Sequence, residues 1–193
     1  LPLPGKARKR AFAKLRGQSL QGYLRYVNAR LNRLSSGKRG LLRLKLAHQL
    51  VGIGAYEEAL KVAGRNLRGT STGIQRQTRL MAARLLLQER RPKEACRWIG
   101  AVENQRLWKH RKRALRALLL RAECARQSKR FAQAEKALLK ALPHSSLIGD
   151  WVRLRLLESW QLGGKANKAI RGGVGFLRRF PRHRLANHVR FVV

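Results

Sequence analysis

This chain is short of acid. Its 193 residues hold nine Asp and Glu against 45 Lys and Arg, and Asp150 is the only aspartate. So small a supply leaves little from which to build a carboxylate pair for acid–base chemistry, and no catalytic motif surrounds any of the acids. Cysteine is scarce too. Cys96 and Cys124 lie in helix-like surroundings without C-x-x-C or metal-ligand spacing. They define no disulfide framework and are expected as two small buried side chains. No apolar run approaches the roughly 18 residues that a membrane span requires. β-Branched residues are few and no useful stretch alternates apolar with polar, which argues against a sheet.

What the chain has in excess is positive charge. The formal net charge is +36 and the pI is near 12.0. Charge of this density repels itself and weakens the compact state unless counter-charge is supplied. A polyanion supplies it: nucleic acid first, because each neutralised phosphate releases a condensed counterion, and an anionic membrane surface second. Of the 45 basic residues 31 are Arg, and guanidinium binds phosphate bidentately and stacks on bases.

Residues 1–17 combine Pro2 and Pro4 with a basic run and read as an extended arm that can thread along nucleic acid. Residues 18–40 read as an N-terminal helix and a loop. Leu20, Leu24, Val27, Leu31 and Leu34 follow at steps of three and four, the period of one apolar helix face. SSGKRG at 35–40 has the composition of a loop. From 41 to 181 the chain repeats one plan four times: a Leu/Ala-rich helix, a short break, then a second helix opening on an alanine. Those alanines are Ala59, Ala95, Ala134 and Ala169, separated by 36, 39 and 35 residues. Tyr56 and Phe131 follow their breaks, and Pro143 and Pro181 are placed to stop the last two second helices. Residues 182–193 read as a basic C-terminal tail.

The pieces AYEEAL, RPKEAC, RFAQAEKALLKALP and GKANKAI, in register across 41–181, resemble tetratricopeptide repeats. The resemblance implies an all-α fold, a right-handed α-solenoid of about nine helices. The stretches GDWVRLRLLESWQLGGKANKAI and FLRRFP are also similar to the helical scaffold of soluble lytic transglycosylases. Glu158 and Ser159 lack the longer catalytic signature of those enzymes, so no catalytic role is carried onto them. The related pentatricopeptide repeats read RNA one base per repeat, but their regular polar positions are missing here.

Several residues have a simpler assignment than chemistry. Glu57, Glu58 and Glu94 fall at the start of second helices, where a carboxylate favours the positive end of the helix dipole. Asp150 is expected as the N-cap of the last repeat. His48, His110, His144, His183 and His188 are scattered, expected in solvent or facing phosphate, and His183 and His188 are not spaced as ligands on one helix face. SSGKRG lacks the spacing of a phosphate-binding loop, and 163–175 lacks the dinucleotide pattern. Gly172, Gly173 and Gly175 mark a kink, or a close helix–helix or phosphate approach. Trp98, Trp151 and Trp160 are expected in the core.

Four basic clusters remain as candidate RNA-binding residues. The arm carries Lys6, Arg8, Lys9, Arg10, Lys14 and Arg16. Lys38, Arg39 and Arg43 precede the first repeat. Trp108, Lys109, Arg111, Lys112, Arg113 and Arg116 open the third, where Trp108 either stacks on an unpaired base or packs between repeats. Arg178, Arg179, Arg182 and Arg184 lie at the C-terminal end. Basic residues in both helices of every repeat suggest a chain embedded in its polyanion. The expectation is a non-enzymatic structural RNA-binding protein without cofactor or metal, a component of a ribonucleoprotein such as an organellar ribosome. Its partners are then structured RNA, rRNA above all, and neighbouring proteins of the particle. The mitochondrial matrix is the favoured compartment, with bacterial cytoplasm or periplasm as alternatives. Leu1 in place of Met would be explained by a cleaved targeting segment, and equally by a truncated chain. The rival readings are a bacterial-envelope scaffold on anionic lipid or cell-wall polymer, and an adaptor docking an acidic protein segment.

Overall fold

The computed structural model describes residues 20–68, 70–103, 111–145 and 148–192. Among them every regular element is helical. The order is α1 (Leu20–Asn32), α2 (Ser36–Gly52), α3 (Tyr56–Arg65), α4 (Thr72–Gln88), α5 (Pro92–Glu103), α6 (Arg111–Gln127), α7 (Phe131–Ala141), a 3-10 turn (Leu142–His144), α8 (Gly149–Leu162), α9 (Ala166–Arg179) and α10 (Ala186–Val192). The chain divides into two compact units, one ending at Gln75 and one beginning at Arg76. None of the described helices is long and apolar enough to cross a membrane.

Four helix-to-helix turns are built alike. Each has one residue with positive φ: Gly54 at 79°, Arg90 at 55°, Lys129 at 59° and Gly164 at 74°. The next amide then donates back to the closing helix: Ala55 N–H to Leu50 O at 2.9 Å, Arg91 to Leu86 at 2.8 Å, Arg130 to Ala125 at 2.8 Å and Lys165 to Trp160 at 2.7 Å. This closure satisfies a helix-end carbonyl and turns the chain within four residues. Behind each turn sits one of the alanines picked out in the sequence. Ala59, Ala95 and Ala134 are fully buried and Ala169 is 1% exposed, because a small side chain lets the second helix approach its neighbour.

In the first unit, α1 buries Leu24 and Leu31, and α2 packs on α3. Helix α2 begins at Ser36, inside the stretch expected as a loop. Gly40 explains the difference. It is buried, Asn66 Nδ2 donates to its carbonyl at 2.8 Å, and a Cβ there would meet Thr70 Cγ2 at 2.9 Å. The glycine serves a close approach inside a helix, a role that composition does not separate from a turn.

In the second unit, Leu118, Ala137, Leu138, Val152 and Leu156 form a core shared by α6, α7 and α8. Leu154, Leu157, Phe176, Val189 and Val192 form another among α8, α9 and α10. Residues 186–192, placed in a basic tail by their sequence, are helical because Val189 and Val192 reach this second core. Pro143 lies in the 3-10 turn after α7, and Pro181 follows the cap of α9, where the sequence placed two stops. Gly172 marks a close approach of α9 to α8: a Cβ would lie 2.8 Å from Leu157 Cδ2 and 2.9 Å from Trp160 Cζ3.

Three further expectations are corrected. Cys96 and Cys124 are joined in a disulfide with their Cα atoms 5.6 Å apart. The packing of α5 on α6 brings them together, and their separation of 28 residues carried no sign of it. Trp151 is exposed in the first turn of α8, under the Arg155 guanidinium at 5.1 Å, whereas Trp98 and Trp160 are half-buried. Asp150 lies inside α8; the N-cap is Ile148.

Candidate nucleic-acid interface

Five of the nine acids are used internally. Glu94 accepts from Arg91 at 2.7 Å, Glu123 from Arg126 at 2.8 Å, and Glu158 from Arg155 at 2.7 Å, each within one helix turn. Asp150 holds Arg153 at 3.3 Å and the His183 Nε2 at 3.2 Å. Glu135 on α7 takes Lys165 at 2.5 Å and Lys168 at 3.2 Å, both from the start of α9. The Lys165 hydrogen bond leads in holding the Glu135 carboxyl at about 2, against the burial that opposes it. The Trp160 indole N–H adds to the effect without full hydrogen-bond geometry. The Arg91 hydrogen bond holds Glu94 below the usual carboxylate range. Burial pushes Glu123 up, but hydrogen bonds from Arg126 and Gln127 outweigh it and keep the carboxyl low.

The candidate cations are placed unequally. Arg178 and Arg179 are exposed in the last turn of α9, where cations favour the negative end of the helix dipole. Arg182 and Arg184 are exposed in the turn that follows. Arg190 on α10 joins them, donating to Asn187 Oδ1 at 2.7 Å and to Pro181 O at 3.5 Å. None of these five has an acidic partner among the described residues. Arg116 is exposed on α6 and Lys38 on α2. Arg39 is half-buried. Arg43 faces inward, donating to Asn32 Oδ1 at 3.1 Å and to Arg65 O at 3.4 Å. Burial, with Arg39 and Arg65 nearby, lowers its pKa. It ties the ends of α1 and α3 to α2. Lys6, Arg8, Lys9, Arg10, Lys14, Arg16, Trp108 and Lys109 lie outside the described residues, as do the side chains of Arg111, Lys112 and Arg113.

His183 is a strut. Its Nδ1 accepts the Leu185 N–H at 3.2 Å, its Nε2 meets Asp150, and its ring stands edge-on to Phe176.

One repeated feature escaped the sequence reading. Two residues after each buried alanine stands a cation: Lys61, Arg97, Lys136 and Arg171, all exposed. The alanine alignment carries that signal, but one cation per helix forms no run in the sequence. Compared with protein families, with curated proteins and with solved structures, the chain matches none.

Proposed function

We propose that this chain is a non-enzymatic, tetratricopeptide-like helical-repeat scaffold, stacked as a right-handed α-solenoid, that binds structured RNA in a ribonucleoprotein particle. In its most specific form the reading is rRNA of an organellar ribosome. One observation carries the reading: a net charge of +36 in which five of the nine acids are engaged in internal ion pairs, leaving the exposed arginines of the α9–α10 end without acidic partners among the described residues. Four alike turns and four buried alanines support the repeat architecture. The mechanism is phosphate neutralisation and fit to RNA shape, with little reading of bases.

Nuclease treatment of the native complex tests it, with release of the protein as the expected result. For the purified protein, contact with six to ten phosphates predicts an affinity loss of about 10³–10⁵ between about 50 and 200 mM salt. RNA affinity indifferent to salt rejects the reading.

The Cys96–Cys124 disulfide favours a second reading. Such bonds persist in oxidising compartments, and a bacterial-envelope scaffold resting on anionic lipid or cell-wall polymer accommodates one directly. Recovery from the periplasm with the bond intact and no nucleic acid attached selects that reading.

A further inference from the structure

Successive helix pairs carry different chemistry at one position that reaches the next pair. The residue after the buried alanine is Glu135 in α7 and Cys96 in α5. Glu135 reaches the next pair and takes Lys165, which follows the positive-φ residue of that turn. Arg130 occupies the same place one pair earlier, following Lys129 and making the same closing amide bond. Where an acid would meet Arg130 the chain has Cys96, bonded to Cys124. Arg130 has no acidic partner among the described residues.

An open cavity of about 550 Å³ lies at this place, lined by Lys93, Cys96, Arg97, Ser128 and Arg130. Lys93 and Arg97 are four residues apart and share a face of α5. Ser128 Oγ is buried with no hydrogen-bond partner among the described residues. The lining thus holds three cations, an unsatisfied hydroxyl and no acid.

We propose that this cavity is a phosphate-binding site, in which Lys93, Arg97 and Arg130 hold one phosphodiester of a bound RNA strand and the Ser128 hydroxyl donates to a phosphate oxygen. The phosphate does from outside what the Glu135 carboxylate does from within, one pair later. Arg97 and Arg130 offer planar forks suited to phosphate, and Lys93 adds a point charge. The lining has no aromatic platform, so the site holds backbone and reads no base. The disulfide fixes α5 against α6 before the ligand arrives, which spares the cost of assembling the site on binding. The identity of the ligand as RNA rests on the function proposed above; the existence of an anion site does not.

Two measurements separate the claims. Inorganic phosphate titrated into the oxidised full chain is expected to shift the backbone amide signals of Arg97 and of residues 128–130 by NMR, and to leave them unmoved in Arg97→Gln/Arg130→Gln. Wild-type signals that do not move overturn the site. Fluorescence anisotropy with a short labelled RNA then compares that variant with Lys45→Gln/Arg84→Gln, which removes two exposed cations elsewhere. The pocket variant is expected to lose at least about tenfold more affinity than the control, and to lower the salt slope by about two. Equal losses overturn the site and leave the RNA reading standing. Phosphate shifts in a protein with no RNA affinity overturn the RNA reading and leave an anion site.

Discussion

Cys96 and Glu135 occupy the same position of consecutive helix pairs, and each ties its second helix to the pair that follows. Cys96 does so through a covalent bond to Cys124 on α6, and Glu135 through ion pairs with Lys165 and Lys168 at the start of α9. One is sensitive to reductant, the other to acid.

The acid-sensitive tie predicts a pH dependence. The Glu135 carboxyl is lowered from 4.5 to about 2 in the folded chain. Its contribution is therefore complete above about pH 5 and is lost as pH falls toward 2. The carboxyl is 11% exposed, but its lysine partners are 43% and 52% exposed, so solvent screening leaves a contribution of about 1–2 kcal/mol. Glu135→Gln is expected to lower stability by about that amount at pH 7 in urea unfolding. The gap from wild type should close by about pH 2. A gap that persists at low pH would place the effect in packing rather than charge.

The reductant-sensitive tie spans 28 residues. Loop-closure entropy for that length corresponds to about 3.5 kcal/mol. Cys96→Ser/Cys124→Ser should lose about this much in chemical denaturation, and dithiothreitol should bring the wild type down to the same midpoint without moving the variant. A wild type unmoved by reductant would mean that the bond does not form in solution.

Arg90 and Lys129 hold positive φ at turns where the first and last pairs use Gly54 and Gly164. A non-glycine residue in this region costs roughly 1–2 kcal/mol, part of which glycine returns through the freedom of the unfolded chain. Arg90→Gly and Lys129→Gly are each expected to stabilise by about 0.5–1 kcal/mol, read as a raised melting temperature. Gly54→Ala and Gly164→Ala should lose about 1 kcal/mol.

Two glycines of α9 should respond oppositely to the same substitution. Gly172→Ala sets a methyl against Leu157 and Trp160 and should cost about 1–3 kcal/mol. Gly175 has nothing within 4 Å of a built Cβ, so Gly175→Ala should stabilise the helix by about 0.5–1 kcal/mol. Thermal melts of the two variants decide it; equal effects would contradict the close approach of α8 and α9.

The helical character was legible because its signals are local. The steps of three and four at Leu24 and Leu31, a small alanine near the start of each second helix and the stops at Pro143 and Pro181 are each read from a few neighbouring residues. Gly40 was misread because a glycine that admits a neighbour looks, in sequence, like one that makes a turn. The last helix was hidden because its basic surroundings resemble a tail, and only the burial of Val189 and Val192 gives it a reason to form. The candidate site was legible as charge and not as place. Arg178, Arg179, Arg182 and Arg184 are exposed, Arg43 is hydrogen-bonded to the ends of α1 and α3, and Lys93, Arg97 and Arg130 form no run that composition could pick out.

From its amino acids alone this chain was bound to be helical, paired in its helices and strongly cationic, since periodicity and net charge accumulate residue by residue and need no knowledge of distant neighbours. Packing alone decided that Cys96 would meet Cys124, that Glu135 would meet Lys165, and that Arg130 would be left facing a cavity. Those partners stand about thirty residues apart, and at that distance only the way one helix lies on the next chooses which charges are cancelled and which remain to attract a ligand.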